Sequence, residues 1–387
     1  MSTRIYLDAN AGTPLLPEVR DAIVATLGDA ANPSSIHAAG RRARGLVEDA
    51  RAELAAAVGA KPENVIFTSG ATEAANLALT PRLLSGRDVV VAGRLYAGAT
   101  EHPCVLSGGR FPTAAVTRLP VERSGSLDLP ALERALDEHD PSEGAPYLAL
   151  MLANNETGII HPVAEAARIV KRHGGYVFCD AVQGLGRIPV DIAALGVDFM
   201  SLTAHKPGGP QGAGALILAD AALRPEPLLL GGGQERRHRA GTENVIAIVG
   251  FAVAARKAVH HLCDMGRIAA LRAEVEQQIL AISPEAKIVG MDTERLPNTT
   301  MFAVPGISGE TVVIAFDLEG IAVSAGSACS SGKIAASHVL EAMGEPAEIA
   351  RSGIRVSLPA AAEAGDIGAF TLAWRAIYPR MRQSRAA

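Results

Sequence analysis

Residues 199–209 read FMSLTAHKPGG, and this stretch indicates both the fold class and the first candidate catalytic residue. The apolar run Phe199–Leu202 is typical of a buried strand, and the glycine-rich turn after it would carry Lys206 out of the sheet. A lysine placed there can point into a cleft and form a Schiff base with a carbonyl cofactor, once its surroundings deprotonate the amine. A solvated surface lysine is the commoner outcome, so Lys206 needs support from other residues.

Outward from this strand, short apolar runs alternate with segments of helical period. The other candidate strands are Val65–Thr68, Asp88–Ala92, Tyr147–Leu150, Tyr176–Cys179 and Ala215–Leu218. Helical segments such as Glu73–Leu79 and Ala164–Lys171 lie between them. The alternation predicts an α/β fold with a mainly parallel sheet that helices cover on both faces. Ligands bind beyond the carboxyl ends of the strands in such sheets, so we expect the chemistry there.

The pattern changes after about Ala255. A polar helical pattern covers Arg256–Ile282, and two strand candidates follow at Thr299–Val304 and Ile354–Ser357. This order of one long helical segment followed by strands predicts a second, smaller α+β domain.

The domain boundaries follow from this change. We predict a large α/β domain over residues 15–255 and a small α+β domain formed by residues 1–14 and 256–387. The extended stretch Ile5–Asp8 is expected to join the edge of one domain, without indicating which one.

The composition limits the classes of function. The chain has 387 residues, of which 48% are hydrophobic, and a formal net charge of -5. Because no basic tract stands out, nucleic acid is not an expected partner. Met1–Leu7 lacks the apolar stretch of a signal peptide, and the apolar run Val245–Ala255 is too short to span a bilayer and predicts a buried helix. A cytoplasmic protein without membrane contact is therefore expected.

The cysteines predict neither a disulfide scaffold nor a structural zinc site. The chain has four cysteines, far apart and without a C-x-x-C pair: Cys104, Cys179, Cys263 and Cys329. Cys329 lies in the run Ser324–Gly332, which is rich in Gly, Ser and Ala and suits a loop that carries a thiol in and out of a site. A tolerated surface cysteine is the alternative for Cys329. No metal site is predicted.

Further candidates lie where predicted strands end. Asp180 follows a buried strand and could hold a pyridinium nitrogen protonated, although it could equally be a helix N-cap. The turn Ser69–Glu73 could offer backbone N–H groups and the Thr72 hydroxyl to a phosphate, and an ordinary capping box is its alternative. His102 could stack on a cofactor ring and shuttle protons, and Asn155 could bind a ring hydroxyl. A structural histidine and a turn asparagine are the respective alternatives.

The order and spacing of these segments resemble the cysteine desulfurases of the NifS/IscS group, within the class V aminotransferase family. The resemblance covers nearly the whole chain. Its segments are Tyr6–Asp8, Asn32–Ser35, Phe67–Glu73, Thr100–His102, Asn154–Glu156, Asp180–Gln183, His205–Lys206, Gly231–Glu235, Arg239–Thr242, Ser324–Ser330 and Ile354–Leu358. The resemblance implies an aspartate aminotransferase-like, pyridoxal 5'-phosphate (PLP)-dependent transferase fold with a sheet of the seven-stranded type. It implies conversion of L-cysteine to L-alanine, with sulfur passing to an enzyme persulfide for iron–sulfur cluster or other sulfur-cofactor assembly.

The resemblance also implies roles for individual residues. The catalytic residues would be Lys206, Cys329 and His102. The cofactor would be held by Ala71, Thr72, His102, Asn155, Asp180, Gln183, Thr203, His205 and Lys206. Thr242 would reach the cofactor phosphate of the neighbouring subunit, which implies a homodimer. The substrate carboxylate would be bound by Arg355, with Asn155 beside it, and an acceptor such as an iron–sulfur scaffold protein would take the sulfur.

The chain departs from the family pattern at several positions, among them Gly12, where the family usually has Thr, and several alternative functions remain. Thr203 stands where the family mostly has Ser, and Gln211 replaces a common Lys. A selenocysteine lyase or another class V PLP enzyme is the alternative within the same chemistry. A non-catalytic dimeric binding protein would not need the set of Lys206, Asp180, His102 and Cys329. A dinucleotide-dependent dehydrogenase would need a glycine fingerprint at the first strand–helix turn.

Overall fold

The computed structural model describes residues 4–29, 31–326 and 336–386. Its α-helices are α1 Pro17–Thr26, α2 Ala38–Ala57, α3 Ala71–Ala78, α4 Pro103–Leu106, α5 Leu129–Asp137, α6 Val163–Arg172, α7 Ile192–Leu195, α8 Val245–His261, α9 Met265–Ile282, α10 Gly309–Leu318, α11 His338–Ala342, α12 Ala347–Ser352 and α13 Ala364–Ala386. Its strands are β1 Ile5–Tyr6, β2 Val65–Thr68, β3 Arg82–Ser85, β4 Asp88–Gly98, β5 Val116–Leu119, β6 Ala145–Met151, β7 Tyr176–Asp180, β8 Phe199–Thr203, β9 Gly214–Leu218, β10 Leu223–Pro225, β11 Lys287–Ile288, β12 Thr299–Ala303, β13 Ile321–Ala322, β14 Ser324–Ala325 and β15 Gly353–Ser357.

The central sheet has the order β10-β3-β4-β6-β7-β8-β9-β2, and β5 also pairs with β4. Strands β5, β4, β6, β7 and β8 run parallel to one another, whereas β9 runs antiparallel to both β8 and β2. The predicted mainly parallel sheet is confirmed. Every residue of β8 is buried, as expected for a strand covered on both faces.

Two strands extend this sheet beyond the seven that were expected. Strand β4 is 11 residues long, and its first half pairs with the antiparallel strand β3 while its second half pairs with β6. Strand β10 then pairs with β3 at the edge. Strand β10 has only three residues, and such a short strand suits the edge of a sheet.

Helix α8 is largely buried in the hydrophobic core that also contains residues of the large sheet. Asn244 caps it by accepting a hydrogen bond from the N–H of Ala247, and its apolar face packs against α1 and α2. By length and composition alone, the span Val245–Ile282 could cross a membrane, with a mean hydropathy of 1.5. Half of that window is buried inside the fold, and core helices pass the same test, so the match is weak evidence for a membrane span.

The predicted helix Arg256–Ile282 is wrong in its boundaries. Helix α8 ends at His261, a 3-10 turn covers Leu262–Asp264, and α9 begins at Met265. The break has a packing cause, because α8 contacts α2 whereas α9 contacts α13. The continuous helical pattern in the sequence therefore corresponds to two helices that pack into two different hydrophobic cores.

The second core belongs to the chain's C-terminal part. Its antiparallel sheet has the order β11-β12-β15-β14, and β1 pairs with β13 in parallel beside it. The stacked rings of Phe316 and Phe370, 5.0 Å apart, lie at the centre with Trp374. The N-terminal stretch thus joins the small sheet, while the exact domain boundaries at residues 14 and 255 stay a prediction.

Candidate active site

A cavity of about 560 Å³ lies at the carboxyl ends of β2, β4, β6, β7 and β8, at the junction with the small sheet. Its lining includes predicted residues from both parts of the chain. They are Ala71, Thr72, His102, Asn155, Asp180, Gln183, Thr203, His205, Lys206 and Arg355. Side chains that are far apart in sequence therefore meet in one site. Most of them follow strands of the large sheet whose carboxyl ends lie at the same edge, whereas Arg355 reaches the cavity from β15 of the small sheet.

Lys206 projects from the turn after β8, as the sequence indicates. Its Nζ donates hydrogen bonds to the carbonyl oxygens of Asn10, at 2.5 Å, and Ala11, at 2.9 Å. The Thr13 hydroxyl donates to the carbonyl oxygen of Lys206 at 2.7 Å, so the N-terminal segment holds this turn from the other side. Gly208 adopts a φ of 88°, a conformation that glycine allows without strain.

Asp180 is the buried carboxylate at the end of β7. Its Oδ1 accepts hydrogen bonds from the Val182 N–H at 3.0 Å and from the Ser201 hydroxyl at 3.3 Å. Burial raises the pKa of Asp180, and the nearby His102 and Lys206 only partly oppose that effect. A cationic ring nitrogen would supply the missing positive charge, so the site fits a protonated pyridine.

A backbone hydrogen bond to the imidazole ring of His102 determines which ring nitrogen carries the proton. It is the N-cap of α4, and its Nδ1 accepts a hydrogen bond from the Cys104 N–H at 3.3 Å. The Cys104 Sγ lies 3.0 Å from the same nitrogen. Because Nδ1 accepts, the neutral ring carries its proton on Nε2. Burial lowers the pKa of His102, which favours this neutral form.

The turn before α3 fits a phosphate group. Its N-cap, Gly70, makes no side-chain cap, which leaves the helix start open to a ligand. A Cβ atom on Gly214 of β9 would lie 2.6 Å from the Cα of Gly70, so only glycine permits this close approach of strand and turn. The Thr203 hydroxyl lies 3.0 Å from Nδ1 of His205, whose pKa burial lowers to about 4. The amine, the carboxylate, the imidazoles and this turn together fit PLP.

Arg355 comes from β15 of the small sheet. Its Nη2 donates to Asp8 Oδ1 at 2.7 Å, and its Nη1 donates to the carbonyl oxygen of Asn155 at 3.0 Å. Its Nε is buried and has no hydrogen-bond partner among the described residues. A ligand carboxylate is the natural partner for that N–H.

Gln183 is held by protein groups on both sides of its amide. Its Nε2 donates to the carbonyl oxygen of Asn10 at 3.1 Å, and its Oε1 accepts from Arg187. Burial, with some repulsion from Arg355, lowers the pKa of Arg187 to about 9. These contacts fix the Gln183 side chain at the wall of the cavity.

Of the predicted site residues that the structure describes, Thr242 does not line this cavity. Thr242 is exposed and lines a neighbouring cavity of about 240 Å³ that shares Ser69 and Gly212 with the larger one. Cys329 lies outside the described residues. Within the described ranges, no group of three or more His, Cys, Asp or Glu side chains could hold a metal ion.

Sequence reasoning missed several residues at the site. Asn10 and Ala11 bind Lys206, and Asp8 binds Arg355, through hydrogen bonds from a segment distant in sequence. The resemblance includes Asp8 in the segment Tyr6–Asp8, but it assigned no role to any of these three residues. Glu101 is a further example, since its Oε1 accepts from the Met151 N–H at 2.5 Å. Burial raises the pKa of Glu101 well above its usual range, and its place beside His102 in the sequence was the available signal.

Comparisons with known proteins agree with this site. The profile of the family described as Aminotransferase class-V matches residues 5–370. The chain is 38% identical over 371 residues to "Cysteine desulfurase IscS" of Dictyoglomus turgidum, covering 92% of this chain and 90% of that protein. It is 40% identical over 364 residues to "Cysteine desulfurase" of Cereibacter sphaeroides, with the same two shares. A solved structure, a NifS-like protein from Rickettsia africae, superposes with a TM-score of 0.88 at 35% identity, covering 97% of this chain and 99% of that one.

Proposed function

The chain belongs to the cysteine desulfurases of the class-V aminotransferase family, which depend on PLP, and we propose that it moves sulfur from L-cysteine to Cys329. L-Cysteine and the Cys329 thiol become L-alanine and a Cys329 persulfide. The carbon–sulfur bond of the substrate breaks, a sulfur–sulfur bond forms, and no external oxidant or reductant is needed. The observation that carries this proposal is the meeting of Lys206, Asp180, His102 and Arg355 in one cavity.

The side chains of this cavity have different proposed roles toward the cofactor. When bound, PLP supplies an electron-accepting ring that weakens the bonds at the substrate's Cα. The Lys206 amine, oriented by the carbonyl oxygens of Asn10 and Ala11, holds the Cα proton and returns it. Asp180 keeps positive charge at the ring nitrogen. The remaining cofactor contacts are assigned to Ala71, Thr72, Asn155, Gln183, Thr203 and His205.

Arg355 and His102 act on the substrate side of the site. The Arg355 guanidinium binds the substrate carboxylate, and its Nε–H, which has no hydrogen-bond partner among the described residues, gives it a donor for that purpose. The His102 ring would lie against the cofactor and would exchange a proton through Nε2, since Nδ1 accepts the hydrogen bond from the Cys104 N–H. Cys329 attacks the substrate sulfur as a thiolate.

We also assign a homodimer, in which Thr242 contacts the partner's cofactor phosphate. The support is the position of Thr242, which is exposed and outside its own chain's main cavity. The neighbouring stretch Leu228–Leu230 exposes three leucines, of which Leu230 is 84% exposed, as expected for a surface that a partner covers. The sulfur acceptor is proposed to be an iron–sulfur scaffold protein, and the place of action the cytoplasm.

Product analysis of two variants tests the proposal. Purified protein with L-cysteine and a reductant should form alanine and sulfide in equal amounts and show the visible absorbance of lysine-bound PLP. Lys206→Ala should lose the covalent link to PLP, whereas Cys329→Ala should keep it and form no persulfide. Sulfur transfer at the wild-type rate by Cys329→Ala would sink the assignment of Cys329. Release of selenide from selenocysteine, with no sulfide from cysteine, would change the substrate.

A further inference from the structure

The segment that carries Thr242 contains a strained turn. Glu235, Arg236 and Arg237 have φ values of 43°, 54° and 69°, and among the described residues only glycines otherwise have positive φ. Side chains with a Cβ atom disfavour this left-handed conformation, and three in succession add their costs. Such strain persists only where surrounding contacts enforce it, so the contacts of this turn identify what holds it.

A buried ion pair holds the first residue of the turn. Arg51 of α2 donates to Glu235 through two nitrogens, at 2.8 and 2.9 Å, and the two side chains are 2% and 1% exposed. Glu235 also accepts the Phe67 N–H at 2.9 Å, and the guanidinium of Arg51 lies 4.8 Å from the centre of the Phe67 ring. The turn is thereby fixed to α2 and β2.

A second ion pair fixes the segment further along. Arg239 Nε lies 2.8 Å from Oε1 of Glu73 in α3, and Oε2 of the same carboxylate accepts the Ser69 N–H at 2.8 Å. Between and beyond these anchors, Arg236, Arg237 and Thr242 face solvent. Two internal anchors therefore set the position of a surface on which Arg236, Arg237 and Thr242 stay exposed in the part of the chain that the structure describes.

We propose that Arg51 and Glu235 are positioning residues that present Thr242 to the cofactor phosphate of the partner subunit. This inference rests on the proposed homodimer. A bidentate pair in a buried site defines one geometry where apolar packing would tolerate several, which explains its use beneath a strained turn. The consequence is that Glu235 serves the cofactor site of the partner, although it lies beside the phosphate turn of its own chain.

PLP binding by the homodimer gives the first test. Glu235→Gln should weaken PLP binding at least tenfold, measured by titration of the apoprotein and visible absorbance. Because a lone buried Arg51 could unfold the chain, the double variant Arg51→Met with Glu235→Met provides a charge-free version. It should weaken PLP binding to a similar extent while remaining folded by circular dichroism. Wild-type affinity in both variants would overturn the proposal.

A second buried ion pair serves as the matched control. Arg295 Nη1 and Glu276 Oε1 lie 2.8 Å apart in the small domain, with side chains 3% and 11% exposed. Glu276→Gln breaks this pair in the same way and should lower the stability while leaving the PLP affinity within about twofold of wild type. If Glu276→Gln lost the same PLP affinity, the effect of Glu235→Gln would be explained by a general loss of stability, and the proposed positioning role would be contradicted.

Mixed dimers separate action on the partner from action within one chain. A Glu235→Gln subunit is paired with a Lys206→Ala subunit, and borohydride then fixes PLP on the only Lys206 present. The Glu235→Gln subunit should take up PLP with near wild-type affinity, because its partner supplies an intact turn. Weak uptake in a stable mixed dimer would overturn this inference alone. A wild-type protein that binds PLP as a monomer in sedimentation would overturn the proposed homodimer and this inference with it.

Discussion

Burial shifts several ionisable side chains in and beside the cavity toward their neutral forms. It raises the pKa of Asp180 and Glu101 and lowers the pKa of His102 and His205. Burial also raises the pKa of the Cys104 thiol to about 12, so this thiol stays protonated and is a poor nucleophile. The Cys104 thiol is therefore not expected to act as the nucleophile, which agrees with the proposal that Cys329 accepts the sulfur.

A buried histidine outside the cavity should make stability depend on pH. Burial lowers the pKa of His161 to about 4, and neither ring nitrogen has a hydrogen-bond partner in the described part of the chain. Between pH 6.5 and 4 the unfolded chain binds a proton there that the folded chain does not, so the stability from this residue falls as the pH falls. It should cost about 2 kcal/mol of unfolding free energy between pH 7 and pH 5.

The non-titrating variant His161→Gln checks this loss. Urea unfolding of the PLP-bound protein at pH 7 and pH 5 gives both free energies, and the difference should be smaller in the variant by about 2 kcal/mol. Equal pH dependence in the two proteins would mean that His161 is protonated in the folded state.

Two glycines within helices differ in how closely their surroundings are packed. A Cβ atom on Gly250 of α8 would lie 2.9 Å from Ile23 Cδ1 and 3.0 Å from Pro210. Pro210 follows the turn that carries Lys206, so α8 packs closely against the end of that turn. Gly368 of α13 has open space around its Cβ position and is exposed. Packing requires the first glycine and leaves the second free to vary.

Alanine substitutions at these two glycines should have opposite signs. Gly368→Ala should raise the free energy of unfolding by about 1 kcal/mol, because alanine is the better helix former. Gly250→Ala should lower it by about 1–3 kcal/mol, since the added methyl group overpacks α8 against α1 and Pro210. Chemical denaturation of each variant measures both changes. A stabilised Gly250→Ala would show that Ile23 moves aside at little cost.

At the scale of the molecule, the N-terminal segment connects the two cores at the active site. Strand β1 pairs with β13 of the small domain, and Asp8 binds Arg355. Two residues further on, the carbonyl oxygens of Asn10 and Ala11 bind Lys206. One short stretch thus sets the position of the proposed substrate arginine relative to the proposed catalytic lysine.

Removal of the Asp8 carboxylate should therefore affect substrate binding. Asp8→Ala deprives the Arg355 guanidinium of a charge-assisted hydrogen bond, so the KM for L-cysteine should rise about tenfold with a smaller change in kcat. Steady-state alanine formation measures both constants. Ser324→Ala, which removes only the 3.0 Å hydrogen bond to Asp8 Oδ2, is the control and should change KM less. A lower KM in Asp8→Ala would mean that Asp8 competes with the substrate carboxylate.

The amino-acid sequence by itself predicted the central strands of the large sheet and the residues at their ends, although it did not indicate β3, β5 or β10. Apolar runs such as Phe199–Leu202 specify buried strands, and a polar residue directly after one must lie at the sheet edge, whatever the rest of the chain does. Asp180 and Lys206 were predictable for this reason. Only the tertiary structure decided the break between α8 and α9 and the roles of Asp8 and Asn10. These depend on which surfaces pack together across hundreds of residues, and local periodicity carries no information about such contacts.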